Sequence, residues 1–185
     1  MQLLDAITTR RSCRKFTDKV PDDATIRSLL HYATKAPSAT NTQPWRFAII
    51  QDATLLDRYS EETKQLVLAS GNDLATKYQH ILSNPDYHVF HHASTLIAIY
   101  ANESRFFNIT DCSLAAQNLM LAAHDQGLGT CWIGFSTPLF NSPHIKQELG
   151  ILDEYEVIAP IILGYPERTL PPMEKREPEI ICWKK

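Results

Sequence analysis

No stretch of this chain carries the ~20 consecutive apolar residues that cross a bilayer. The first residues also lack the basic segment followed by an apolar one that marks a secretory leader. A cytoplasmic protein without a membrane partner is expected. Charge of one sign is missing too: 18 Lys+Arg stand against 21 Asp+Glu, a net charge of −3. So balanced a chain is not expected to take nucleic acid as its partner. The four cysteines, Cys13, Cys112, Cys131 and Cys182, are scattered and form no C-x-x-C, which fits reduced, buried or idle thiols. No G-x-G-x-x-G follows a strand-like run, so a Rossmann nucleotide site is not supported. Repeats, low-complexity tracts and interdomain linkers are absent. The 185 residues, 44% of them hydrophobic, read as one domain over 1–185.

What is there centres on Asp111 to Phe135. Asp111 suits an N-cap, and the run from Cys112 to Ala123 has no formal charge, proline or glycine. A helix apolar around most of its circumference is expected to be buried on several sides, and Ala115, Ala116, Ala122 and Ala123 permit close neighbours. Gly127 ends it. The chain then turns through Gly129 into Cys131-Trp132-Ile133-Gly134, where Gly134 bares a backbone N–H to any flat ligand. Taken alone, the segment reads better as a core helix, a turn and a strand with no ligand at all.

Around this centre the periodicity predicts further elements. Leu3, Leu4 and Ile7 give a short amphipathic helix over 2–9. Pro21-Asp22-Asp23 opens a second helix with Ile26, Leu29, Leu30 and Ala33 inside, stopped by Pro37. Trp45–Gln51 reads as a strand, residues 52–69 and 73–82 as helices broken at Gly71, and Ser83–His92 as a loop. Leu96–Tyr100 and Glu156–Gly164 read as buried strands, with Pro160 pointing to an edge or bulge. Asn102–Thr110 reads as a loop. Helices and strands do not alternate strictly, which favours an α+β sandwich over a doubly wound parallel sheet.

Four of the 18 basic residues fall within positions 10–15, as Arg10-Arg11-Ser12-Cys13-Arg14-Lys15. Guanidinium forks beside a hydroxyl match a phosphate monoester; a solvated basic loop and a weak nucleic-acid contact are the alternatives. Pro37-Ser38-Ala39-Thr40-Asn41-Thr42-Gln43-Pro44 packs hydroxyls and amides between two prolines. Such a loop can read a heteroaromatic edge or a polyol, or satisfy its own backbone. His88, His91 and His92 invite a metal reading, but no acid or cysteine stands at companion spacing in that segment. Ordinary hydrogen-bonded histidines are expected there, and no metal. A thiol hydrolase built on Cys112 and His124 fails on distance, because twelve helical residues span about 18 Å. Cys131 lacks a third group.

Taken together, Arg10-Arg11-Ser12-Cys13-Arg14-Lys15-Phe16, Ala36–Phe47 and Gly127–Gly134 resemble the nitroreductase family of FMN-dependent oxidoreductases. Leu163-Gly164-Tyr165-Pro166 and Lys175-Arg176-Glu177-Pro178-Glu179 resemble its closing motifs. The resemblance implies an α+β sandwich with a central, mainly antiparallel sheet flanked by helices. It also implies a homodimer with two FMN sites at the subunit interface, and a C-terminal arm, 165–185, docking on the partner subunit. Arg10, Ser12 and Arg14 would hold the FMN phosphate, with Arg11 beside them and Arg176, with Lys175, returning to it. Pro37, Ser38, Ala39, Asn41 and Gln43 would reach the flavin from the other subunit. Trp132, Ile133 and Gly134 would lie along the ring, with a backbone N–H of Ile133 or Gly134 near its reactive nitrogen. Implied chemistry is ping-pong transfer from NADH or NADPH through FMN to a small electron-poor acceptor of nitroaromatic or quinone type, with no protein acid or base. A non-catalytic FMN storage or sensor protein is the alternative from another class.

Overall fold

In a computed structural model that describes residues 1–102 and 106–185, four strands build one antiparallel sheet. They are β1 (Arg46–Ile50), β2 (Thr95–Asn102), β3 (Gly129–Trp132) and β4 (Tyr155–Gly164), in the spatial order β1-β2-β4-β3. The helices are α1 (Leu3–Thr9), α2 (Asp23–Ala33), α3 (Ala53–Ala69), α4 (Asp73–Leu82), α5 (Asn108–Asp125), α6 (Thr137–Phe140) and α7 (Pro143–Glu148).

Side-chain caps set three helix starts. Asp22 accepts from Thr25 N–H at 2.8 Å, Asp52 from Leu55 N–H at 3.1 Å and Asn72 from Ala75 N–H at 2.9 Å. The lack of polar alternation in β2 follows from layers on both sides. Leu96, Ala98 and Tyr100 join one core with α3, α6 and α7, while Ile97, Ile99 and Ala101 join another with α2 and α5. The α+β sandwich is therefore helix, sheet, helix.

Three details depart from the sequence reading. Helix α5 starts at Asn108, so Asp111 lies inside its first turn and is not an N-cap. Both Asp111 carboxylate oxygens instead stand 3.2 Å from the Ala39 N–H, 72 residues away in sequence. Of the Asn102–Thr110 loop, residues 103–105 lie outside the described residues, Asn102 ends β2, and 108–110 are helical. Nor is α5 enclosed all round. Ala115, Ala116, Leu119 and Ala123 are buried, but Leu114 on the opposite side is 40% exposed and Ile109 in the first turn is 68% exposed.

Strand β4 is interior, between β2 and β3, so Pro160 does not mark an edge. A register shift lies beside it, between Ile99 and Tyr100 on β2. Pro160 accepts from the Ile133 N–H at 2.8 Å but has no N–H to return. The Ile133 carbonyl accepts instead from the Ser136 N–H at 3.2 Å and hydroxyl at 2.9 Å, and there the chain leaves the sheet. The missing donor thus ends the β3–β4 ladder where the site begins.

Candidate functional site

Residues 10–16 form a strap laid on the edge of β3. Ser12 bridges Thr130, the Cys13 N–H donates to the Thr130 carbonyl at 2.9 Å, and the Thr17 N–H donates to the Tyr165 carbonyl at 2.9 Å. Two glycines let it settle. A Cβ on Gly129 would fall 2.7 Å from Cys13 Cβ and 2.8 Å from its Sγ, and one on Gly164 would fall 2.9 Å from Phe16 Cδ1. Cys13 and Phe16 are buried by this contact, while Arg14 stays exposed. Arg10, Arg11 and Ser12 are only partly covered, so these three and Arg14 keep their polar groups at the surface of the strap.

The strap walls a cavity of about 530 Å³ lined by Arg10, Arg11, Ser12, Arg14 and, from the C-terminal arm, Lys175. Arg176 is exposed and outside that lining. Arg11 donates to the Pro171 carbonyl and so ties the arm to its own strap. Beyond this tie, residues 171–185 are exposed and form no strand, with Ile181 97% exposed.

Arg14 also lines a second cavity of about 380 Å³, with Tyr78, Tyr87, His91, Trp132 and Gly134 among its walls. Arg14 is thus shared by the two cavities, one basic and one walled by flat aromatic rings. Nothing lies within 4 Å of where a Gly134 Cβ would sit, and its backbone is not left-handed. Neither packing nor conformation within the protomer calls for glycine there, and the backbone at this point lies open. The Ile133 N–H is taken by the Pro160 carbonyl, which leaves Gly134 as the free N–H donor of the pair.

The polar loop stands elsewhere. Its Ala39 N–H is held by Asp111 near the start of α5, whereas Thr9, before the strap, bonds His124 at 2.8 Å near the helix end. Thirteen helical residues, about 20 Å, separate these anchors. Within one protomer, Pro37, Ser38, Asn41 and Gln43 are not brought to the strap. The loop is strained, with positive φ at Thr40 (50°), Asn41 (56°) and Gln43 (47°). Part of its polarity is spent internally, Gln43 N–H to the Ser38 hydroxyl at 3.0 Å and Gln43 Nε2 to Asn41 Oδ1 at 3.2 Å.

The fold supplies a carboxylate from outside the histidine segment. Asp57, His88 and His92 bring their ligand atoms within 4.8 Å of one another. Nδ1 of His88, however, faces the N–H groups of Phe90 at 3.1 Å and His92 at 3.4 Å and can only accept. Its proton is therefore on Nε2, donated to Asp57 at 3.1 Å, which is a hydrogen-bonded brace and not a metal centre. Burial, then the His92 charge, lowers the His88 pKa and keeps that tautomer neutral. The thiols do not suit nucleophilic work either. Burial pushes Cys112 up to about 12, and burial raises Cys131 more than Arg14 pulls it down. Tyr87 and His91, from the loop Ser83–His92, line the flat cavity, a role the sequence reading did not give to either side chain.

Fold and cavities together define a helix–sheet–helix sandwich in which Arg14 borders both a cationic pocket and one walled by aromatic rings. Residues 7–165 match the nitroreductase family, and the chain belongs to that family. It is 30% identical over 166 residues, 90% of this chain and 86% of the relative, to a candidate NADH dehydrogenase/NAD(P)H nitroreductase of Archaeoglobus fulgidus. A similarly named protein of Methanothermobacter thermautotrophicus is 31% identical, over 90% of this chain and 78% of its own. Among solved structures, an FMN-dependent nitroreductase of Clostridium difficile superposes with a TM-score of 0.83 at 25% identity, covering 98% of this chain and 99% of that one. A Bacteroides fragilis nitroreductase solved with bound FMN reaches 0.85 at 22% identity, over 100% and 98%, a likeness of fold alone.

Proposed function

We propose that the protein is an FMN-dependent oxidoreductase that draws electrons from NADH or NADPH and passes them to a small electron-poor acceptor. It works as a homodimer with two cofactor sites at the subunit interface. The observation that carries this reading is Arg14, which borders both a basic cavity suited to a phosphate and an aromatic-walled one suited to a ring. The open space over Gly134 fits the same ring. When bound, FMN supplies the redox chemistry, taking hydride from the nicotinamide and giving electrons to the acceptor.

The protein's part is position and electrostatics. Arg10, Ser12 and Arg14 bind the phosphate end, with Arg11 beside them and Lys175 closing over it from the arm; Arg176 is the weaker partner because it stands outside the cavity. Trp132, Ile133 and Gly134 flank the ring, and the Gly134 N–H steadies charge that develops on it. Pro37, Ser38, Ala39, Asn41 and Gln43 close the ring side from the partner subunit, Ala39 through groups other than its N–H, which Asp111 holds. The ~20 Å between strap and loop supports a shared seam: two α5 helices packed head to tail bring each strap to the other chain's loop. Exposed Leu3, Leu4, Ile7, Phe107, Ile109 and Leu114 give that seam its apolar surface, and the arm carrying Ile181 and Trp183 docks across it. Donor and acceptor use the flat cavity in turn, as ping-pong exchange requires.

The visible spectrum of the purified protein, then anaerobic mixing with NADH and with NADPH, tests the reading. A flavin band that bleaches with either nicotinamide and returns with a quinone is expected. A yellow dimer whose band persists with both donors is a flavin carrier and not this enzyme, and a colourless monomer that ignores added FMN ends the proposal.

A further inference from the structure

His91 and His92 follow one another in left-handed backbone, each at φ 52°. Side-chain-bearing residues pay for that conformation, and it survives only where the surroundings impose it. Here the surroundings are specific. The His88 ring accepts the Phe90 N–H at 3.1 Å and the His92 N–H at 3.4 Å, its Nε2 is braced on Asp57 at 3.1 Å, and its carbonyl accepts the His91 N–H at 2.9 Å. The effect of this turn is to put His91 in the wall of the flat cavity with Arg14 and Trp132, edge-on to Tyr87 at 5.8 Å. Burial, then the charges of Arg14, His88 and His92, pushes the His91 imidazole down to about 4, so near pH 7 it is neutral, with one N–H to give. Burial likewise keeps the Tyr87 phenol protonated.

We propose that His91 binds the planar reactants of the flat cavity, donating its imidazole N–H to the exocyclic oxygen that a nicotinamide carboxamide, a quinone and a nitroaromatic have in common. Asp57 and His88 are positioning residues that hold it there through the strained turn. This rests on the oxidoreductase reading above.

The test uses the full-length FMN-loaded protein, with rates scaled to bound flavin. His91→Gly removes the imidazole and relieves the left-handed strain. Its unfolding temperature is expected to stay at or above the wild-type value. Anaerobic stopped flow is expected to show reduction by NADH or reoxidation by benzoquinone, whichever reactant His91 holds, slowed roughly five- to tenfold, the worth of one hydrogen bond. His91→Asn tolerates the same backbone and keeps an amide N–H, so it recovers most of that rate. His88→Ala slows the same half-reaction. Rates within twofold of wild type in both half-reactions of His91→Gly overturn the proposal. So does a loss that accompanies a lower unfolding temperature in both residue-91 variants, which is a packing role. A wild-type protein that NADH and NADPH both fail to reduce overturns the oxidoreductase reading instead.

Discussion

Gly134→Ala separates what the fold needs from what a cofactor needs. A methyl group there meets no atom within 4 Å in the protomer, and the backbone is outside the left-handed range. The substitution therefore narrows the unfolded chain without straining the folded one, a gain of about 0.4–1 kcal/mol. For a chain of this length that raises the unfolding temperature of the flavin-free protein by roughly 1–4 °C. A ring stacked on the same spot meets the methyl at once, and overpacking of this kind costs about 1–3 kcal/mol. FMN binding then weakens by roughly 5- to 150-fold. Because alanine keeps the N–H, the loss is steric and not a lost hydrogen bond. Calorimetry of the flavin-free variant and an FMN titration followed by quenching of flavin fluorescence give the two numbers. Unchanged FMN affinity refutes the placement of the ring against Gly134, and a lower unfolding temperature refutes the claim that this glycine is idle in the fold.

Gly129→Ala behaves in the opposite way, because its Cβ would collide with Cys13 at 2.7 Å and 2.8 Å. A stability loss of about 1–2 kcal/mol is expected with weaker FMN binding, both partly restored by adding Cys13→Gly, and additive effects in thermal melts would count against the contact. Arg14→Ala, which lines both cavities, is expected to lose one charged hydrogen bond, on the order of 1.5–3 kcal/mol of FMN affinity, with little change in unfolding temperature. A variant that purifies fully yellow at wild-type affinity would sink that assignment. The His91 pKa of about 4 in the fold lies below its ordinary 6.5, so the unfolded chain takes up a proton first as pH falls. Stability present above pH 6.5 is therefore lost between 6.5 and about 4, and His91→Gly, melted across that window, is expected to show a shallower slope.

Much of the fold was legible because its signals are local. The helix opening at Pro21-Asp22-Asp23, the break at Gly71 and the apolar run of β2 each report their own neighbourhood. Misreadings came where the deciding partner is distant. Asp111 resembles a cap until the Ala39 N–H arrives from 72 residues away. Pro160 left an edge and a bulge open, and only the pairing partners show that it lies beside a register shift in an interior strand. The strap was readable from its density of charge. Of the two basic arm residues the cavity lining takes Lys175, because a chain tied down at Pro171 fixes which side chain turns inward. His91 and its brace on Asp57 were illegible, since left-handed backbone and a contact across 31 residues leave no periodic trace.

The length of α5 between Asp111 and His124 has a genetic consequence. If the proposed seam holds, a chain crippled at Arg14 and another crippled at Asn41 each hold FMN weakly alone, since every seat in either homodimer lacks one wall. Mixed and allowed to exchange, they form hybrids in which one seat draws both walls from intact stretches and the other draws both from damaged ones. Two weakened alleles thereby rescue each other to half of full occupancy per hybrid, a complementation that a self-contained protomer could never display.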